Sequence, residues 1–313
     1  MQGGVRPRPA FSLRWSPVDH QSGWPHGCLT VRLRGVRMKQ SLRAVWFIRG
    51  RGTMDYEIQP FPREREIVID AGRLGSRRHI IHCLLEADVT RARELLREAT
   101  TGGGRVSFTA FLVASLARAI GEVPTVQAYR DWRRRLVVFH DADIVTMIEP
   151  EAGAVAIPHI VRAANRKTVR EISAELRSIQ LNQDSSEQHG GLVALAPRVP
   201  GPARGVFYWA LRKNPRWFKR LAGTAVVTSV GMFGKGGGWG LGFLPMHTLG
   251  LTVGGIAEKP GVHEGGVVIR EYVNLTLSFD HDIVDGAPAA RFAKVTRELI
   301  ETATVLAEGN AGP

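Results

Sequence analysis

The stretch YVNLTLSFD, residues 272–280, constrains the fold of this chain more than any other. Val273, Leu275, Leu277 and Phe279 fall on one side of an extended backbone, and Asn274, Thr276, Ser278 and Asp280 fall on the other. A period of two over nine residues predicts a strand with one apolar face, which needs a second layer to cover it. A turn, HDIVDG, follows, and then APAARFAKVTRELIETATVLAEG, a helical pattern with Pro288 in its first turn and Gly309 past its end. Strand, turn and covering helix in succession point to an α/β domain.

Upstream, the same reading gives further elements. IVID (67–70) reads as a short extended segment. A helix starts near Thr90 and stops at Gly102 to Gly104. SFTAFLVASLARAIGEVP forms a second helix, with Ser107 as N-cap and Pro124 just beyond it. RRRLVVFHDADIVTMIEP gives one or two strands, EPEAG a tight turn and AVAIPHIV another strand. Val169, Ile172, Leu176 and Ile179 mark a third helix, opened by a capping box of Thr168 and Glu171. Residues 183–205 are polar and then rich in Pro and Gly, a long excursion. FYWALRKNPRWFKRLAG predicts an amphipathic helix broken at Pro215, which either packs on its own domain or touches a membrane surface or a partner. TAVVTSV and TLGLTVGGI are strands separated by the glycine-rich GMFGKGGGWGLGFLP.

Composition excludes several classes. Apolar residues make up 44% and charged residues 23% of 313, which excludes wholesale disorder. No run of 18 uncharged apolar residues is present, so no helical membrane span is expected. Two cysteines, Cys28 and Cys83, cannot build a disulfide scaffold, and the location expected is cytoplasmic. The net charge of +13 is uneven: residues 1–53 hold ten Arg or Lys against Asp19, leaving +4 for residues 54–313. Residues 1–53 therefore read as a basic, disordered extension, or as a stretch upstream of a true start at Met54. Residues 54–313 read as one domain, and neither nucleic acid nor membrane is expected as a partner.

Motifs narrow the chemistry. Gly234 and Lys235 lack the Ser or Thr that a P-loop needs after its lysine, because three glycines follow. The glycines of this loop would let a ligand approach the backbone closely. Asp280, Asp282 and Asp285 resemble a calcium loop, but its twelfth position would be Arg291 instead of a glutamate. His79, His82 and Cys83 have no fourth ligand at a recognised spacing, and no metal is expected. His281, at the end of the patterned strand with Asp285 four residues on, is the candidate for acid–base chemistry.

These residues carry a resemblance. LSFDHDIVDGAPAARF resembles the terminal motif D-H-x-x-x-D-G-A of the acyltransferase component of 2-oxo acid dehydrogenase complexes, a family related to chloramphenicol acetyltransferase. Five further matches occur in the family's order: EADVT at 86–90; SFTAFLVASLARAIGEVPTVQAYRD, with Gln127 where Asn is usual; VTMIEPEAGAVAIPHIVRAANRKTVREISAEL; TAVVTSVGMFG; and LGLTVGGIAEKP. Together they cover residues 65–305. Three departures stand out: Asp282 where the family has Arg, LPMHT in place of a Pro-rich run, and an inserted segment near 183–222.

The resemblance implies a chloramphenicol-acetyltransferase-like two-layer sandwich, a mixed β-sheet flanked by helices. It implies a CoA-dependent acyltransferase in which His281 is the base for a thiol such as dihydrolipoamide. The oxyanion donor falls on Thr228, with Ser229 beside it. Asp285 is implied to be structural, paired with an arginine whose best match is Arg73, with Arg77 and Arg78 nearby. Coenzyme A or an acyl-CoA is the implied substrate; Arg162 and Lys235 are possible contacts that nothing singles out. No D-K-A hairpin for lipoyl attachment is found, so a stand-alone catalytic domain is implied, its lipoyl group supplied in trans. The implied assembly is a homotrimer or larger homo-oligomer, with a lipoylated carrier protein and dehydrogenase subunits as partners. Two other readings remain open at this point: transfer to a hydroxyl or amine acceptor, and a non-catalytic trimeric scaffold.

Overall fold

The computed structural model describes residues 13–17, 27–31, 56–62, 65–101, 106–148, 157–181, 199–230 and 236–308. The chain divides into two units, residues 1–59 and 60–313. In the first, β1 (Leu13–Pro17) and β2 (Gly27–Val31) pair antiparallel.

The second unit runs α1 (Arg65–Gly75), β3 (Ile80–Asp88), α2 (Thr90–Thr101), α3 (Phe108–Glu122), β4 (Tyr129–Arg130), β5 (Leu136–Val137), β6 (Ile144–Ile148), β7 (Ile157–Val161), α4 (Val169–Leu181), α5 (Gly201–Lys213), α6 (Pro215–Ala222), β8 (Ala225–Ser229), β9 (Leu249–His263), β10 (Gly266–Asp280), α7 (Gly286–Thr302) and α8 (Thr304–Glu308). Six strands form one sheet in the order β3-β10-β9-β8-β6-β7. The pairs β6–β8 and β8–β9 are parallel, and the others are antiparallel. The mixed sheet flanked by helices is the architecture that the resemblance implies.

The alternation in β10 does what the pattern requires. Val273, Leu275, Leu277 and Phe279 are fully buried against α3 and α7, and the rings of Phe279 and Phe292 meet edge to face at 5.9 Å. Truncating one such side chain costs about 2–5 kcal/mol. The polar face is buried as well. Asn274, Thr276, Ser278 and Asp280 are each at most 3% exposed. The cover on that side includes the glycine-rich segment: a Cβ at Gly254 of β9 would collide with the Gly238 carbonyl, and one at Gly242 with the Thr252 hydroxyl. The loop's glycines thus let it lie directly on its own sheet. Gly234 and Lys235 lie outside the described residues, as do the EPEAG turn and residues 183–198.

The helix starts are locally encoded. Ser107 accepts from the Ala110 amide at 3.0 Å, and Thr168 and Glu171 exchange backbone-to-side-chain bonds at 2.7 and 3.2 Å. Two expectations fail. IVID is not extended but lies in α1, because a four-residue apolar run does not itself distinguish a buried helix from a strand. The C-terminal helical pattern is not continuous: Ala303 adopts a left-handed conformation (φ 52°) and splits α7 from α8. The aromatic helix breaks at Pro215 as predicted. Tyr208, Leu211 and Phe218 pack with Tyr129 in a second, smaller cluster, while Trp209 and Trp217 stay exposed.

Candidate active site

His281 is the first residue beyond β10. Its side chain is exposed, and its amide donates to the His79 carbonyl at 2.7 Å, just ahead of β3. The residues on either side are also held. Asp280 is buried and paired with Arg78 at 2.5 Å, and the Arg78 guanidinium also donates to the His247 carbonyl at 2.7 Å. Asp282 lies 2.8 Å from Nδ1 of His79. That hydrogen bond, reinforced by the carboxylate's charge, raises the His79 pKa above its ordinary value. One imidazole is therefore presented to solvent on a loop clasped before and after it.

The predicted arginine partner is not the one found. Arg73, in the last turn of α1, has its side chain 75% exposed and reaches Asp70 at 3.5 Å, not Asp285. Asp285 is the N-cap residue of α7, exposed, without a side-chain cap bond. The arginine at the His281 loop is Arg78, and its partner is Asp280. The signal was present in the sequence: the alternation in β10 turns Asp280 inward with the other polar residues, and a buried carboxylate needs a cation.

Thr228 is half-buried in β8, and Ser229 is exposed at its end. The register sets their distance from His281. Thr228 lies opposite Thr252, and Thr252 opposite Thr276. His281 is five residues beyond Thr276, about 17 Å along the strand, and two strands across, about 10 Å. Within one chain the backbone positions of His281 and Thr228 are therefore about 20 Å apart, too far for the two side chains to act on the same carbon.

His79, His82 and Cys83 do not converge. His82 Nδ1 is 2.9 Å from the Ser278 hydroxyl, and no cluster of three or more metal-binding side chains occurs among the described residues. Arg162 is committed to Asp143 and to the carbonyls of Lys219 and Arg220. None of the described helices is long and apolar enough to cross a membrane.

The family model of the 2-oxoacid dehydrogenases acyltransferase (catalytic domain) matches residues 75–188 and 220–307. The chain belongs to this family. Among its acyltransferase relatives, the lipoamide acyltransferase component of the branched-chain alpha-keto acid dehydrogenase complex of Pseudomonas putida is 27% identical over 226 residues, covering 69% of this chain and 45% of that protein. The Bacillus subtilis counterpart is 25% identical, with coverage of 70% and 46%. The chain thus spans about half the length of the curated relatives it matches. Among solved structures, the dihydrolipoamide acetyltransferase of Azotobacter vinelandii superposes with a TM-score of 0.60 at 18% identity, covering 80% of this chain and 94% of that one. The truncated catalytic core of the Thermoplasma acidophilum 2-oxoacid dehydrogenase complex gives 0.58 at 23%, covering 79% and 98%. The acyltransferase match omits residues 189–219, which contain all of α5.

Proposed function

We propose that this chain is a CoA-dependent acyltransferase that moves an acyl group between coenzyme A and a dihydrolipoamide-type thiol carried on another protein. The observation that carries the reading is His281, exposed at the end of β10 on a loop clasped by Arg78–Asp280 and His79–Asp282, in a chain of an acyltransferase family. Neutral His281 takes the proton of the incoming thiol, and the thiolate attacks the thioester carbonyl. The oxyanion of the tetrahedral intermediate accepts a hydrogen bond from the Thr228 hydroxyl; Ser229, one residue on, faces the opposite way. Collapse breaks the old C–S bond, and the departing thiolate regains its proton from His281.

The separation of about 20 Å between the two backbone positions favours a site completed by two copies of the chain, one giving His281 and the next Thr228. A homotrimer or larger assembly meets that need, and the cubic core of the pyruvate dehydrogenase complex is among the solved structures of like fold. Asp285, at the N-cap position of α7, serves the loop geometry in this mechanism, and Arg73, paired with Asp70 on α1, takes no part in it. Dehydrogenase subunits and a lipoylated carrier are the partners this reading implies, in a cytoplasmic setting.

The test is a mass-spectrometric assay with acetyl-CoA and free dihydrolipoamide. Formation of acetyl-dihydrolipoamide by the wild type and its loss in His281→Ala supports the reading. Equal turnover by the variant removes His281 from the mechanism, and acetylation of hydroxyl or amine acceptors alone would replace the thiol as acceptor.

A further inference from the structure

A cavity opens beside the His281 loop, with Asp280, Asp282 and Ile283 on one wall. Its floor is apolar and aromatic: Leu74, Tyr129, Tyr208, Leu211, Phe218 and Met246. The Tyr129 hydroxyl is already committed, donating to the Thr224 carbonyl at 2.8 Å and accepting from the Thr248 amide at 3.3 Å, so this side chain offers only its ring. The Phe218 ring lies 4.8 Å from it, tilted by 39°.

The charges around the cavity do not balance. Each lining carboxylate has a partner: Asp131 with Arg135 at 2.8 Å, Asp280 with Arg78 at 2.5 Å and Asp282 with His79 at 2.8 Å. Arg130, Arg212 and Lys213 also line it, and none of them is in an ion pair among the described residues. The rim therefore carries unneutralised positive charge above an apolar floor.

The walls have a distinct origin. Tyr208, Leu211, Arg212 and Lys213 belong to α5, inside the stretch that the family model omits, and Leu74 precedes the start of the match. The cavity forms where these elements, outside the matched segments, meet the loop that bears His281.

We propose that this cavity binds an apolar organic anion. The hydrocarbon or aryl body rests on the floor of Tyr129, Leu211 and Phe218, and its carboxylate or phosphate ester is held by Arg130, Arg212 and Lys213. On the acyl-transfer reading, on which this one step rests, the occupant is a substrate group selected beside His281 by the α5–α6 pair, distinct from the coenzyme A site.

The test is calorimetry of the full chain with octanoate, octyl phosphate and octan-1-ol. One or both anions should bind at a single saturable site per chain, and their relative affinity distinguishes carboxylate from phosphate ester. Octan-1-ol should bind at least about tenfold more weakly. The double variant Arg212→Gln/Lys213→Gln should lose about tenfold in anion affinity at an unchanged melting temperature, because both side chains are exposed. Leu211→Trp, which fills the floor, should abolish binding. The proposal is overturned if neither anion saturates, if the alcohol binds as well, if the double variant binds like wild type, or if coenzyme A displaces the anion. His281→Ala should bind octanoate normally while losing transfer, so a failure of the acyl-transfer reading and a failure of this one give different results.

Discussion

Where β10 stops, charged pairs hold the backbone: Arg78 on Asp280 and His79 on Asp282, either side of His281. Where β8 stops, at Thr228 and Ser229, missing side chains do the holding, since Gly242 and Gly254 let the loop at 236–248 lie directly on the sheet. The two ends of one sheet thus resist different insults. The His281 end is sensitive to loss of a charge and to acid, and the Thr228 end to any added atom.

The sharpest way to break this comparison is to disable one end at a time. His281→Ala should lower transfer by about 10²–10⁴-fold, and Thr228→Ala by about 10²–10³-fold in kcat. If the two ends belong to one site only across copies, mixing and reassembling the two inactive variants should restore measurable activity. No recovery in assemblies shown to be mixed would put both groups on other tasks.

Next in size is the charge itself. Arg78→Ala leaves Asp280 buried without its cation and should cost about 3–5 kcal/mol in chemical denaturation. Arg73→Ala, at an exposed pair, should change stability by less than about 1 kcal/mol. Equal effects would restore Arg73 to the position the resemblance gave it.

Acid probes the same end. His247 is buried behind Arg78, its Nε2 bonded to the Ala222 carbonyl at 2.6 Å, and burial pushes its pKa down to about 4. The unfolded chain takes up that proton near pH 6.5 and the folded chain only near 4, so stability falls as pH drops through this window, by up to about 3 kcal/mol. His247→Gln should flatten melting temperature against pH between 6.5 and 4. His79 works with the opposite sign. Its raised pKa gives stability that is fully present below 6.5 and fades as pH rises through the shifted value. At the glycine end, Gly254→Ala should cost about 1–3 kcal/mol by overpacking, with no pH dependence. A neutral outcome would mean the loop can lift off the sheet.

What could be read from the sequence was local. The Ser107 cap, the Thr168–Glu171 box and the alternation of β10 depend on residues a few positions apart, and the structure has each of them. The family motif put attention on His281, Thr228 and Asp285. The arginine was misread because its partner depends on where β3 meets β10: His281 bonds to His79, and this register brings Arg78, not Arg73, to the loop. The role of the glycines was missed for a related reason, because nothing near Gly254 in sequence shows that Gly238 will lie on top of it.

Arg204, 8% exposed near the start of α5, grips Asp70 at 2.6 Å and Glu66 at 3.1 Å, both on α1. Two stretches more than a hundred residues apart are thereby stapled to each other. Anyone transplanting the α5–α6 pair onto a homologous scaffold would have to move α1 with it. Left behind, α1 would strand a guanidinium with no acid to meet it, and the graft would fail for want of its counterpart.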